Sequence, residues 1–181
     1  KKTFKGIQKL IGDGLISSVH DISDGGRIVT PLEMAFAGNV GLDISFSRDA
    51  SAIETLFSQE PGLVIEASDP LRGIKYLQAQ EISVQVLGKV TEYGGRIKVR
   101  HNGKLVLDEE MTTLRHIWEA TSTALEMLQA NPDCVKEEAA INKNLITTPP
   151  YKLTFKPRKT PAHWLKAKNK PKVAILREEG S

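Results

Sequence analysis

The stretch Ile16-Ser-Ser-Val-His-Asp-Ile-Ser-Asp-Gly-Gly26 joins a short β-compatible run to a dense polar cluster. Residues 16–19 favour a strand that ends where His20 begins the cluster. Residues 20–26 present an imidazole, two carboxylates, a hydroxyl and two glycines. A strand that leads into such a turn predicts a site for chemistry, because binding side chains concentrate on loops that a rigid scaffold positions.

The residue types of this cluster suit magnesium and phosphate. Mg²⁺ prefers carboxylate oxygen and usually takes only one or two protein carboxylates, so Asp21 or Asp24 is a candidate ligand. Gly25 and Gly26 allow the backbone to approach a phosphate closely and to point N–H groups at it, with a following helix N-terminus adding a favourable dipole. Ser23 adds a hydroxyl donor.

A structural interpretation of the same residues remains open. Asp-Gly-Gly is common turn chemistry, Ser23 or Asp24 can cap a helix, and His20 can be a satisfied structural histidine. Short glycine patterns also arise often by chance. The residue types alone therefore favour the structural interpretation over a binding site.

Outward from the cluster, strands and helices alternate along the chain. Thr30-Pro-Leu-Glu33 predicts a helix start and Gly38 its end. Further strands are predicted at 41–46, 63–66, 83–90 and 96–106, the last with a hairpin turn at Asn102-Gly103, and further helices at 50–57, 70–78 and 113–130. The pattern predicts an α/β (α+β) domain with a mixed β-sheet and packed helices.

Pro31 leaves two possibilities for the helix that follows the cluster. A helix that began near Asp24 would lose a backbone hydrogen bond at Pro31 and clash with the preceding turn. Either the helix begins at Thr30 or it is kinked. A start at Thr30 would leave residues 24–29 as loop and weaken the dipole argument for phosphate binding, but it would not affect Asp21.

The composition is that of a globular protein with one sizeable core: 181 residues, 40% hydrophobic and 26% charged. No run of about 18 apolar residues occurs, and the start lacks an apolar signal stretch, so we expect no membrane partner and a cytoplasmic location. The single cysteine, Cys134, excludes a disulfide within these residues and any cysteine-based metal cluster.

Charge is distributed unevenly along the sequence. Residues 1–138 hold 15 basic and 20 acidic residues, whereas residues 139–177 hold ten basic residues and no acidic one. Prolines interrupt this basic segment. We therefore predict a domain at 1–134, followed by a basic, proline-containing linker at 135–170.

Three aromatic residues within the basic linker raise the possibility of a nucleic-acid-binding arm. Tyr151, Phe155 and Trp164 are interleaved with the cations, and such a pattern can follow a phosphate backbone and stack on bases. Packing of the linker on the acidic remainder of the chain is the favoured interpretation, and nucleic acid is not an expected partner.

Several segments together resemble one family. His20-Asp-Ile-Ser-Asp-Gly-Gly26, Leu32-Glu-Met-Ala-Phe-Ala-Gly38 and Gly41-Leu42 are similar to the second AIR-synthase-like C-terminal domain of the formylglycinamidine ribonucleotide synthase family, in its large single-chain form. Further segments keep the family's order: Leu56-Phe57, Glu60-Pro-Gly-Leu-Val64, Leu114-Arg115, Trp118-Glu119 and Thr121-Ser122. Pro171-Lys-Val-Ala-Ile-Leu-Arg-Glu-Glu-Gly-Ser181 resembles the opening strand and loop of that family's glutaminase domain.

The resemblance implies an ATP- and glutamine-dependent ligase of purine biosynthesis, to which this chain contributes a half-site without a catalytic residue. It implies Asp21 as a Mg²⁺ ligand and Ser23 as a nucleotide contact, with Asp24, Gly25 and Gly26 also in the nucleotide-binding motif. The implied cofactors are Mg²⁺ and ATP or ADP. The implied partners are the remaining synthetase domains and the glutaminase domain of the same chain, of which residues 171–181 form a stub.

There are two rival interpretations: another member of the same superfamily, and a protein of a different functional class. Selenophosphate synthetase and thiamine-phosphate kinase share the fold and a similar motif, but offer no reason for the ending Val173-Ala-Ile-Leu-Arg-Glu-Glu-Gly180. The other rival is a non-catalytic binding module with a basic arm. Cys134 precedes the stub, so we interpret it as a structural or incidental thiol and not as a glutaminase nucleophile.

Overall fold

The structure is a computed structural model that describes residues 1–144, 152–169 and 172–174. The chain divides into two compact units, Lys1–Ile146 and Thr147–Ser181. The elements are α1 (Lys2–Gly12), β1 (Ile16–Asp21), α2 (Gly26–Gly38), β2 (Val40–Phe46), α3 (Ala52–Leu56), β3 (Leu63–Ala67), α4 (Pro70–Ala79), β4 (Gly88–Tyr93), β5 (Arg96–His101), β6 (Lys104–Glu110), α5 (Met111–Glu126), α6 (Pro132–Asn144) and α7 (Ala162–Leu165).

The strands form two sheets. A four-stranded sheet has the order β4-β2-β5-β6, and a two-stranded sheet pairs β1 with β3. Strands β2 and β5 run parallel, whereas the β2–β4, β5–β6 and β1–β3 pairs are antiparallel. The predicted α/β class with a mixed sheet and packed helices is confirmed.

The larger core lies on one face of the four-stranded sheet. Strand β5 alternates strictly, so that Ile97 and Val99 have no exposed surface while their neighbours point outward. Phe36 of α2 and Met111 at the start of α5 pack against them in the same cluster. This packing fixes α2 against the sheet.

The opposite face of this sheet carries a row of alternating charges. Lys89 pairs with Asp43, Asp43 with Lys98, and Lys98 with Asp108, so one register position crosses all four strands with the signs +, −, +, −. We call these four residues the charge row. Opposite charges on directly facing strand positions stabilise a sheet, and this face is accordingly polar.

A second, smaller core lies under the two-stranded sheet. It consists of Ile7 and Leu10 of α1, Leu77 of α4, and Leu15, which lies between α1 and β1. Ile82 and Val84 also pack against it, whereas Leu87 packs against the larger core. Residues 82–87 therefore connect the two cores.

The predicted strand at 83–90 is wrong over residues 83–87. The apolar alternation is real, but these residues have no regular secondary structure, and strand β4 begins at Gly88. Val84 packs against the smaller core, Val86 is exposed and Leu87 packs against the larger core, so the segment does not keep one face towards one core.

Of the two possibilities for the next helix, the start at Thr30 is wrong, because α2 begins at Gly26, close to Asp24, and contains Pro31. Gly25 is the N-cap residue, in a left-handed conformation, and Pro31 lies inside the helix. Pro31 lacks the N–H that would bond to the Arg27 carbonyl, which is the cost of a proline at this position. The helix N-terminus thus follows the predicted polar cluster directly.

The other predicted helices and strands are confirmed, with small shifts in their first and last residues. The hairpin turns at Asn102 and Gly103 with φ of 49° and 79°, the values that a two-residue hairpin turn requires. Helix α5 begins two residues earlier than predicted and ends sooner. Trp118 lies on the apolar face of the α5 pattern, which favours a core position over a ligand platform, but 51% of it is exposed, so that interpretation is wrong.

The predicted linker begins inside a helix. Residue 135 lies within α6, whose first turn is supported by a hydrogen bond from Asp133 N to Asn131 Oδ1 (2.9 Å). The short helix α7 also falls in the predicted linker. The predicted stub at 171–181, in which the apolar residues 173–176 favour a strand, lies largely outside the described residues; residues 172–174 have no regular secondary structure.

We predict that Ile97→Ala lowers the free energy of unfolding by about 2–5 kcal/mol, because it leaves a cavity between β5 and α2. Leu105→Ala on β6, where the side chain is exposed, is the matched control and should cost less than about 1 kcal/mol. Urea titration of both variants measures the difference. Equal losses would contradict the assignment of the core.

Candidate functional site

Residues 20–26, hereafter the motif loop, connect the end of β1 to the start of α2. Asp21 is the last residue of β1, and its side chain is 72% exposed. Ser23 and Asp24 are exposed as well, whereas Gly26 is buried. The structure thus brings the five predicted site residues into one loop, with both carboxylates and the hydroxyl on its solvent side.

The motif loop is held by a second loop, residues 57–62, which we call the bracing loop. Ile22 N donates to Gly62 O (2.9 Å), and Arg27 N donates to Ser58 O (3.2 Å). A Cβ at Gly26 would lie 2.5 Å from the Phe57 carbonyl carbon and 2.8 Å from Ser58 O. Backbone therefore packs directly on backbone, and φ of +73° at Gly26 adds a second requirement for glycine.

The first amides of α2 are already used within the protein. Gly26 N donates to Ser23 O (3.0 Å) and Arg27 N to Ser58 O. These two donors are therefore occupied by backbone oxygens of the chain. In the described structure the glycines give the loop its shape, and the exposed groups of Asp21, Ser23 and Asp24 are those that can reach a ligand.

Polar side chains support the Asp21 backbone from the side of α2. His20 Nδ1–H donates to Asp21 O (2.7 Å), and Thr30 Oγ1–H lies 3.2 Å from the same oxygen. His20 Nε2 faces Glu33 Oε2 at 3.5 Å, and Trp118 Nε1–H donates to Glu33 Oε1 (3.2 Å). Sequence reasoning missed Thr30, Glu33 and Trp118 in this role.

One signal in the sequence could have identified two of these residues. Thr30 and Glu33 follow Gly26 by four and seven residues, so they share one face of α2 once the helix is known to begin at Gly26. The wrong helix start at Thr30 concealed this relationship. Trp118 is distant in sequence and no local pattern links it to the motif loop.

Glu60 of the bracing loop joins two guanidinium groups. Its Oε2 accepts from Arg27 Nη2 (2.5 Å), and its Oε1 accepts from Arg48 Nη2 (2.6 Å). The hydrogen bond from Arg48 holds the pKa of the Glu60 carboxyl below its ordinary value, with further contributions from the charges of Arg48 and Arg27. This arrangement ties the bracing loop to the start of α2.

A complete metal site is absent from the described residues. No group of three or more His, Cys, Asp and Glu side chains is arranged there to hold an ion. Mg²⁺ often takes only one or two protein carboxylates together with phosphate and water, so Asp21 alone fits a partial ligand set. Cys134 is an exposed free thiol in α6, away from the motif loop in sequence.

These features define an α/β domain in which a strand delivers an exposed carboxylate and hydroxyl to a glycine loop at a helix N-terminus. The chain belongs to the family described as AIR synthase related protein, C-terminal domain, whose profile matches residues 1–100. The predicted resemblance is confirmed by relatives that match far beyond that range.

Curated relatives in several organisms are named phosphoribosylformylglycinamidine synthase. The chain is 43% identical over 184 residues to the probable chloroplastic/mitochondrial protein of Arabidopsis thaliana, with 100% of this chain and 13% of the relative covered. It is 40% identical over 189 residues to the Homo sapiens protein, with 99% and 14% covered. The chain therefore spans about one seventh of the length of these relatives.

Solved structures share the fold. T. maritima PurL complexed with ATP has a TM-score of 0.56 and 19% identity, over 62% of this chain and 21% of that one. The same protein complexed with FGAR has a TM-score of 0.54 and 18% identity, over 62% and 20%. Among the described residues of our chain, no helix is long and apolar enough to span a membrane.

We predict that Gly26→Ala destabilises the domain more than Gly103→Ala. Both glycines have left-handed φ, +73° and +79°, but a Cβ at Gly103 meets nothing within 4 Å. Gly103→Ala should cost about 1–2 kcal/mol for the backbone conformation alone, and Gly26→Ala about 1–3 kcal/mol more because of overpacking. Denaturant unfolding of the two variants measures the difference; equal costs would contradict the close packing.

We predict that the stabilising contribution of Glu60 is lost in acid. Because folding lowers its pKa, Glu60 stabilises the fold above the titration range of an unfolded glutamate, and this contribution disappears as the pH falls through the lowered value. The difference in unfolding free energy between wild type and Glu60→Gln should narrow below about pH 4. Exposed Glu126→Gln is the control. A gap that widens in acid would contradict the ion pairs.

Proposed function

We propose that this chain is part of a phosphoribosylformylglycinamidine synthase and contributes a Mg²⁺–nucleotide half-site to it. The observation that carries the proposal is the extent of the similarity: relatives of that name match 92–100% of the chain at 35–43% identity. The match includes residues beyond 100, where the family profile ends. A different ATP-using member of the superfamily would not be expected to match these relatives over nearly its whole length.

The resemblance implies the reaction of the whole enzyme. Formylglycinamide ribonucleotide, ATP and glutamine give the amidine, ADP, phosphate and glutamate. ATP activates the amide oxygen, and ammonia released from glutamine displaces it. The ATP, ADP and AMPPCP complexes of T. maritima PurL support a nucleotide site in this fold.

We assign the roles at this half-site from the exposed groups of the motif loop. Asp21 contributes one carboxylate to Mg²⁺, and Ser23 contributes a hydroxyl to the nucleotide. Asp24 stands beside them, while Gly25 and Gly26 shape the loop that holds all three. The remaining ligands of the ion come from the nucleotide phosphates, water and other domains of the parent chain.

A second proposal concerns the synthase activity of the isolated chain. The described residues contain no complete metal site, and the chain covers about one seventh of its relatives. We therefore expect no synthase activity from these 181 residues alone; activity requires the other synthetase domains and the glutaminase domain.

The cellular location is a separate proposal. The composition predicts a cytoplasmic protein, whereas the name of the Arabidopsis thaliana relative places that protein in chloroplasts or mitochondria. Fractionation of cells that express the full-length parent decides between these compartments. Recovery in an organelle fraction would overturn the cytoplasmic assignment.

We predict that Asp21→Asn in the full-length parent raises the Mg²⁺ concentration needed for half-maximal ADP binding by roughly tenfold or more. Asn keeps the size of the side chain but removes the charge that the ion requires. Asp133→Asn is the control, because its carboxylate is similarly exposed at the start of α6. Calorimetric titration of ADP at stepped Mg²⁺ concentrations measures the shift.

Two further readouts define the outcome of this experiment. Glutamine hydrolysis, assayed separately, should remain competent because the change lies outside the glutaminase. Unchanged Mg²⁺ dependence and unchanged synthase rate in Asp21→Asn would overturn the assignment of the half-site.

A further inference from the structure

A chain of polar contacts runs from α5 across α2 to the end of β1. Trp118 Nε1–H donates to Glu33 Oε1 (3.2 Å), and Glu33 Oε2 faces His20 Nε2 at 3.5 Å. On the other side of the ring, His20 Nδ1–H donates to Asp21 O at 2.7 Å. We call Trp118, Glu33 and His20 the support chain. It ends on the backbone of the residue that carries the exposed carboxylate.

The backbone of Asp21 is fixed from several directions. Thr30, of which 1% is exposed, places Oγ1 at 3.2 Å from the Asp21 carbonyl oxygen, which also accepts from His20. Across the small sheet Asp21 is paired with Leu63. The next residue, Ile22, donates its N–H to the bracing loop at Gly62 O. The side chain of Asp21 nevertheless stays 72% exposed.

This combination of a held backbone and an exposed carboxylate is what a metal ligand requires. A ligand whose backbone is already fixed loses less conformational entropy when the ion binds. Outer contacts that orient metal ligands commonly change metal affinity by roughly 10- to 100-fold when they are removed.

The geometry also limits what His20 itself can do. Its Nδ1–H is used on the Asp21 carbonyl and lies 3.7 Å from Asp21 Oδ1, and its Nε2 faces the Glu33 carboxylate, a contact that is an ion pair when the ring is protonated. Because Nδ1 carries the proton that it donates, it has no lone pair to offer an ion. Its contacts instead connect the loop to α2, and through Glu33 to Trp118.

The other end of the support chain is held by packing. The Trp118 ring lies 5.7 Å from the Phe36 ring, and Phe36 belongs to the larger core. The support chain therefore connects that core to the end of β1 through residues that lie outside the bracing loop.

We propose that His20, which faces Glu33 on the opposite side of its ring, is a positioning residue that fixes the Asp21 backbone for binding of the Mg²⁺–nucleotide. This inference rests on the proposed function of the half-site. A purely structural role would differ, because loss of His20 would then affect folding without a specific effect on the Mg²⁺ dependence of nucleotide binding.

The test compares His20→Ala with His20→Asn in the full-length parent. The amide nitrogen of asparagine occupies nearly the position of imidazole Nδ1, so it retains a donor for the Asp21 carbonyl. His20→Ala should raise the Mg²⁺ concentration for half-maximal ADP binding about fivefold, the loss of roughly one hydrogen bond. His20→Asn should restore most of the wild-type value. ADP binding without Mg²⁺ should stay unchanged in both.

The second link is tested with Trp118→Phe. Phenylalanine keeps an aromatic ring against Phe36 but removes the N–H that Glu33 accepts. This change should raise the Mg²⁺ requirement about twofold, less than His20→Ala, because Glu33 stays in place beside His20. Glu126→Gln, an exposed change further along α5, is the control and should have no effect.

The outcomes separate this inference from the proposed function. If Asp21→Asn raises the Mg²⁺ requirement and His20→Ala does not, the positioning role is wrong while the half-site stands. Equal loss of ADP binding with and without Mg²⁺ in both His20 variants, or no rescue by His20→Asn, would also overturn it. If Asp21→Asn has no effect, the half-site itself fails. Thermal melting of each variant confirms that folded protein is compared.

Discussion

The contact of Gly26 with the backbone of Phe57 and Ser58 is the constraint on which the candidate site depends. No side chain fits there, since a Cβ would come within 2.5 Å of the Phe57 carbonyl carbon. The contact joins the start of α2 to the bracing loop, whose other end holds Ile22 through Gly62. Because both ends of the motif loop are fixed in this way, Asp21 and Ser23 are presented to solvent in a defined place.

Much of the fold follows from local sequence signals. Asn102-Gly103 set the hairpin, and the alternation of Ile97 and Val99 set the buried face of β5. The errors arose where distant contacts decide. Helix α2 begins at Gly26 and not at Thr30 because the bracing loop, about thirty residues away, holds that glycine. Residues 83–87 alternate like a strand, but their side chains divide between two cores.

The candidate site was predictable in its exposed groups and unpredictable in its supports. Asp21 and Ser23 lie within one short motif, so residue types and family resemblance were sufficient to propose them. Glu33 required the correct helix start, and Trp118 and Glu60 required the tertiary structure, because the Glu60–Arg27 and Trp118–Glu33 contacts span 33 and 85 positions of sequence. A residue that acts by holding another has no chemical signature of its own in the sequence.

The charge row on the open face of the larger sheet has a consequence for how this sequence can change. Each interior member, Asp43 or Lys98, faces an opposite charge on both neighbouring strands. Reversal of Asp43 alone would place three cations side by side, and like charges in facing positions repel. Tolerated substitutions across these strands should therefore arise in compensating pairs. A change of charge at one position would be accompanied by the opposite change at the facing position of the neighbouring strand.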